Sequence, residues 1–297
     1  MKFGLSMFGL SPRHYPDIAS AAEQNGFESV WIPEHLILPA DMPPTYPYTE
    51  TGFPPITPDT PMYDPWVVLG AVASATTSIR LATNIYILPL RHPFVTARSV
   101  VTLDRVSGGR VTLGIGVGWL AEEFEASGQN FHDRGRRTDE IVHLLRRMWS
   151  EDVIEHHGDF YDFGPMKFEP KPLQKQGIPI EVGGSSAPAL RRAGRLGDGW
   201  IEAGARSFER LSEMLEVVHA ARREASREAL PFEVTCGLGR TRDDARRSED
   251  VGVTRITVGP APHGDVLADP SRPHARLQKQ DFTDFTKRFA DDVIAKV

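Results

Sequence analysis

The sequence predicts an α/β protein folded as a closed (β/α)8 TIM barrel with insertions at its C-terminal face. Three observations carry this reading. Apolar strand-like runs alternate strictly with helical stretches, which implies parallel strands joined by crossover helices. About eight such units fit into 297 residues, the usual size of one barrel. No low-complexity tract or linker divides the chain, so residues 1–297 are expected to form a single domain.

The elements follow in order. "KFGLSMF" (2–8) precedes a helix over about 16–25 that Gly26 ends. "SVWIPE" (29–34) opens into a Pro-rich loop and then a helix over about 65–76. "IRLATNIYI" (79–87) precedes a helix over about 93–105, and "RVTLGIGVG" (110–118) one over about 135–149. "IPIEVGG" (178–184) runs into "APALRRAGRLG", and "GWIEAG" (199–204) into a helix over about 207–228. "FEVTCGLG" (232–239) precedes "TRDDARRSEDVG", and "RITVGP" (255–260) precedes a last helix over about 281–295. Three segments fall outside this rhythm: 36–63, 119–134 and 151–177. The third contains "VIEHHGDFYDF", a small hairpin turning at Gly158 and Asp159. The first two follow strands, which puts them at the C-terminal face, where the active sites of such barrels form.

Bulk properties narrow the function class. Hydrophobic content of 40% and charged content of 25% are those of an ordinary globular protein. A net charge of -6 argues against a nucleic-acid binder, and the arginine runs "RRAGR" and "AARREASRE" read as solvated helix faces. The single cysteine, Cys236, excludes an intrachain disulfide and fits a reducing compartment. The N-terminus enters a strand pattern without a signal peptide's apolar core, and no run approaches a membrane span, so a cytoplasmic protein is expected. His156 and His157 are adjacent and face opposite ways on a strand, and no His-x-x-x-His pair flanks a glutamate; no metal site is expected.

Four stretches can carry chemistry. Glu34 and His35 end the second strand, where a carboxylate and an imidazole serve either a site or a capped loop entry. Gly114, Gly116 and Gly118 alternate along one strand and so share a face. They form a flat, empty strip for a planar ring, or else allow tight packing inside the barrel. A dinucleotide turn fails on spacing, since Trp119 stands at the sixth position. Asn84 interrupts an apolar strand, as residues that meet a ligand or a backbone group do. Gly183, Gly184 and Ser185 precede a helix N-terminus, a cradle for phosphate or a simple cap by Ser185 or Ser186. A nucleophile elbow is excluded because Ala187 replaces its last glycine.

"VWIPEHL", "ATNIYILPLRHP", "SGGRVTLGIGVGWLAEEF", "HHGDFYDF", "PIEVGGSS" and "GRLGDGW" occur in the order seen in the bacterial luciferase-like flavin and deazaflavin oxidoreductases. The resemblance spans roughly residues 1–205 and is strongest to the branch that depends on coenzyme F-420. It implies a luciferase-like barrel with the cofactor ring over the C-terminal ends of the strands. It implies Glu34 and His35 beside the ring as catalytic residues, and a non-prolyl cis peptide at Asn84-Ile85 backing it. It further implies Gly116, Val117 and Gly118 along the ring, and the cofactor phosphate at Gly183, Gly184 and Ser185. Sugar-phosphate dehydrogenases of that branch carry a glutamate where Trp119 stands here, so Trp119, with Glu122, is read as the wall of a less polar substrate pocket.

The resulting expectation is an enzyme that transfers a hydride between coenzyme F-420 and a small, fairly apolar organic substrate. His35 gives or takes the accompanying proton, because an imidazole titrates in the working range. The alternatives are an FMN-dependent monooxygenase and a flavin-binding protein without turnover. The tail of coenzyme F-420 needs a basic exit path, for which Arg91, His92 and Arg98 are candidates, unless they are surface residues. Nucleic acid and membrane are not expected partners, and family likeness implies a homodimer.

Overall fold

Alternation along the apolar runs decides the architecture, since neighbouring residues of a strand face opposite sides. The structure, a computed structural model, describes residues 1–205, 207–260 and 277–297. Its strands are β1 (Lys2–Ser6), β2 (Ser29–Ile32), β3 (Arg80–Thr83), β4 (Tyr86–Ile87), β5 (Val111–Gly116), β6 (Ile154–His157), β7 (Asp162–Met166), β8 (Ile180–Gly183), β9 (Gly199–Ile201), β10 (Glu233–Cys236) and β11 (Arg255–Val258). The helices are α1 (Tyr15–Gln24), α2 (Pro65–Ala75), α3 (Pro93–Ser107), α4 (Ala121–Ala126), α5 (Arg134–Ser150), α6 (Ala187–Leu196), α7 (Phe208–Glu224), α8 (Arg242–Asp250) and α9 (Lys279–Asp292). The strand order β3-β2-β1-β11-β10-β9-β8-β5 closes through a β3–β5 pairing, and every pair in the ring is parallel. This is the eight-stranded (β/α)8 barrel that the alternation predicts.

Outward-facing Leu5, Val30, Leu81, Leu113, Val182, Val234 and Ile256 pack with the helices in the main hydrophobic core. The interior is filled differently. Trp31, Ala82 and Ile201 form a separate apolar plug with Ile85 packed against it. Beside the plug lies a buried polar layer. Arg255, 2% exposed, donates to Glu181 and Thr235 at 2.8 Å each and to Glu28 at 3.1 Å. Its guanidinium also sits 5.1 Å from the Trp31 ring. Gly4 leaves no room for a Cβ beside the Trp31 indole, which explains a glycine in the middle of β1.

Two segments differ from expectation. The run 79–87 is not one strand: it breaks after Thr83, and β4 resumes as a short segment paired with β5. The segment 119–134 holds α4, because "AEEFEA" combines good helix formers with the buried pair Glu123 and Phe124. The hairpin β6–β7 forms with Gly158 at its turn, whose N–H donates to the Tyr161 carbonyl at 2.9 Å. The Glu140 carboxylate of α5 takes the Phe160 and Tyr161 N–H groups, at 3.1 and 2.9 Å, and meets His156 Nε2 at 3.0 Å. With Phe163 against Phe94 at 5.1 Å, the hairpin stands against the N-terminal ends of α3 and α5, toward the C-terminal face. No helix among the described residues is long and apolar enough to cross a membrane.

The polar layer yields a test. Arg255→Ala leaves Glu181, 1% exposed, without its cation, and should cost about 3–5 kcal/mol in urea unfolding. The double change Arg255→Met with Glu181→Leu should recover most of that loss. A single variant with an unshifted midpoint would refute the assigned role.

Candidate active site at the C-terminal face

Pro33 follows β2 and turns Glu34 inward, where it is 3% exposed. A carboxylate cannot stay there unpaired. Glu34 accepts the Ile87 N–H at 2.7 Å and is gripped by both terminal nitrogens of Arg91, one of them at 2.7 Å. Burial pushes its pKa up, and the Arg91 guanidinium and the Ile87 N–H oppose that shift. Arg91 in turn lies 4.6 Å from the centre of the Tyr86 ring. The Asn84-Ile85 peptide is cis, as the resemblance implied. Asn84 N–H donates to the Ile32 carbonyl at 2.9 Å, so the bulge between β3 and β4 is tied to β2 both by backbone and through Glu34.

The bulge changes the reading of the glycine strip. The strip is not empty. A Cβ on Gly114 would collide with the Thr83 carbonyl, and one on Gly116 with the Ile85 side chain. Gly118 has φ +81° and would meet Phe124 at 2.7 Å. A Cβ on Gly183 would lie 2.9 Å from Ile85. The glycines therefore admit Ile85 across the mouth of the barrel, and the half-buried Ile85 side chain forms the floor there. Val117, Gly118 and Trp119 are half-buried along the rim.

His35 is the next residue after Glu34, and its partner is one that the sequence reading did not name. His35 Nδ1 lies 2.8 Å from Glu123 Oε2, and the Leu36 N–H donates to Glu123 Oε1 at 2.6 Å. Glu123 is 1% exposed, whereas Glu122, the residue assigned to the pocket, is exposed on the outer face of α4. Trp119 packs edge-on against His35 at 6.0 Å and against Tyr46 at 5.1 Å, and Tyr46 meets Tyr48 at 5.3 Å. Burial pushes the Tyr46 phenol up to about 12, so this wall stays uncharged. Both tyrosines come from the loop 36–63. Their signal was present in "TYPYTE", an aromatic pair in a long loop on the catalytic face.

At Gly183, Gly184 and Ser185 the polar groups already have partners within the fold. Ser186 caps α6, while the Ser185 hydroxyl donates to the Ala203 carbonyl. Gly184 has φ +117° and is held by its N–H on the Ile201 carbonyl and its carbonyl on Trp200 Nε1. A Cβ on Gly184 would approach the Tyr48 hydroxyl to 3.3 Å. Arg134 donates to the Gly118 and Phe131 carbonyls, at 3.1 and 2.8 Å, and has no carboxylate partner among the described residues. Burial and then Arg192 pull its pKa down, the signature of an uncompensated cation.

The basic path expected at Arg91, His92 and Arg98 is not free. Arg91 is spent on Glu34, His92 accepts the Phe94 N–H as the cap of α3, and Arg98 donates to the Glu169 carbonyl and covers Phe168 at 4.3 Å. Among the described residues no group of three or more His, Cys, Asp or Glu side chains is placed to hold a metal.

Glu34 is thus placed to hold the bulge. Glu34→Ala should strand Arg91 and release Ile87, and cost about 3–5 kcal/mol in chemical denaturation. A variant as stable as the parent would show that the bulge stands without it.

The comparisons agree with this architecture. A profile of the family described as luciferase-like monooxygenase matches residues 4–283. An uncharacterised protein of Mycobacterium tuberculosis is 35% identical over 95% of each chain. The F-420-dependent glucose-6-phosphate dehydrogenase of Amycolatopsis mediterranei is 28% identical across 72% of this chain and 60% of its own. The FMNH(2)-dependent dimethylsulfone monooxygenase of Pseudomonas putida is 33% identical across 50% of this chain and 42% of its own. Among solved structures, the coenzyme F-420-dependent tetrahydromethanopterin reductase of Methanopyrus kandleri superposes with a TM-score of 0.74 at 16% identity, over 99% of this chain and 98% of that one. With a match that runs through almost every barrel strand, the chain belongs to the luciferase-like monooxygenase family and is an oxidoreductase of that family.

Proposed function

We propose that this enzyme uses coenzyme F-420 to transfer a hydride to or from a small, uncharged organic substrate, with His35 moving the accompanying proton. The observation that carries the reading is the His35–Trp119 corner. His35 is held by a buried carboxylate, the adjacent cation Arg91 is neutralised by Glu34, and the remaining wall is aromatic. Such a corner favours a neutral substrate with an apolar body over a phosphate or carboxylate. The F-420-dependent glucose-6-phosphate dehydrogenase matches a larger share of this chain than the FMNH(2)-dependent monooxygenase does, 72% against 50%.

The residues present fit a flavin or deazaflavin. Ile85 offers an apolar floor for a ring, Gly183 to Ser186 leave backbone close to a helix N-terminus, and Arg134 supplies a cation without a counterion. When bound, the cofactor supplies the hydride chemistry. His35 carries the proton of the substrate hydroxyl or carbonyl, Trp119 and Tyr46 exclude water, and Glu34 holds the floor in place through Arg91 and Ile87.

A titration of the apo-protein tests the cofactor. Coenzyme F-420 should bind at micromolar or tighter concentration and FMN at least about tenfold more weakly, a difference of roughly 1.4 kcal/mol. Preferential FMN binding would move the enzyme to the monooxygenase reading.

His35→Gln tests the proton role with a side chain that still reaches Glu123. His35→Ala is less clean, because it leaves Glu123 Oε2 buried without a partner, at about 1–3 kcal/mol. With a panel of neutral alcohols and ketones followed by cofactor absorbance, His35→Gln should bind the cofactor within a few fold. Its turnover should fall by about 10²–10⁴. Full activity would make the imidazole a packing group.

A further inference from the structure

Resting on the reading of His35 above, we infer that Glu123 is a positioning residue: it keeps the neutral His35 ring protonated on Nδ1, so that Nε2 is the atom offered to substrate. An ionised carboxylate only accepts hydrogen bonds. At 2.8 Å from Glu123 Oε2, Nδ1 must therefore be the donor. The second oxygen is used as well, by the Leu36 N–H at 2.6 Å, so the carboxylate is locked between two donors of one loop. Glu123 is 1% exposed and cannot exchange His35 for water, and the Trp119 edge limits rotation of the ring. Nε2 has no hydrogen-bond partner among the described residues. A carboxylate behind an imidazole selects the tautomer and orients the ring, which is a different task from touching substrate.

A purely structural Glu123 would staple α4 to Leu36 and leave the tautomer of His35 open. The two roles separate in the 15N spectrum of apo-protein labelled at its 10 histidines, recorded where imidazole is neutral, with the His35 signals assigned by their loss in His35→Gln. The expected result is a protonated Nδ1 and a bare Nε2. Glu123→Ala should move the proton to Nε2 or give an averaged pair of signals. Glu123→Gln keeps a single acceptor oxygen, which the Leu36 N–H claims, so its amide NH2 faces Nδ1 and should drive the proton to Nε2; an unchanged pattern there would also overturn the inference. A parent with the proton on Nε2 overturns the inference, as does a folded Glu123→Ala with an unchanged pattern. If Glu123→Ala does not fold, the parent spectrum and Glu123→Gln decide the question alone. The experiment needs neither cofactor nor turnover. A chain that binds neither cofactor yet shows protonated Nδ1 would refute the proposed function and leave the role of Glu123 standing.

Discussion

The site depends on the burial of one carboxylate. Glu34 sits where water cannot reach it, so its charge must be met by protein, and both partners it finds belong to the segment after β3. Satisfying Glu34 fixes where Ile87 and Arg91 lie, and with them the bulge that carries Ile85 across the barrel mouth. The same turn presents His35 to α4. A structural requirement thus sets the geometry of a functional surface, and the adjacent residues Glu34 and His35 divide the work between them.

The barrel interior follows the same logic of compensation. A ring of parallel strands offers its inner face to side chains from all sides, and this chain fills it with an indole, a guanidinium and carboxylates as well as aliphatic groups. Arg255 is affordable inside only because Glu181, Glu28 and Thr235 surround it. Toward the C-terminal end the inward positions shrink to Gly116 and Gly183, which lets the Ile85 side chain occupy the centre. The floor of the site is therefore apolar although the layer beneath it is charged.

At the rim, charge is either neutralised or held back. Glu34 cancels Arg91, Glu123 faces His35, and the phenols of Tyr46 and Tyr48 are kept neutral by burial. Arg134 departs from that pattern: it donates to the Gly118 and Phe131 carbonyls and has no carboxylate partner among the described residues.

The sequence by itself determined the alternation of strands and helices, the closed barrel, and the end of the barrel on which Glu34, His35, Asn84 and Trp119 lie. Those features are local: hydrophobic period, helix caps and strand-ending glycines are written within a few residues of where they act. Motif likeness added the cis peptide at Asn84-Ile85, which no local pattern encodes. The pairing of His35 with Glu123 joins residues 88 positions apart, and only the packing of α4 against the β2 loop chose it over the adjacent Glu122. The same holds for Arg91, which reads as a free cation in "PLRHP" and is spent on Glu34 in the fold, and for the glycine strip, which looks empty until Ile85 folds over it. Partner choice among equivalent carboxylates and cations is settled by distance and desolvation, and both exist only once the chain has closed.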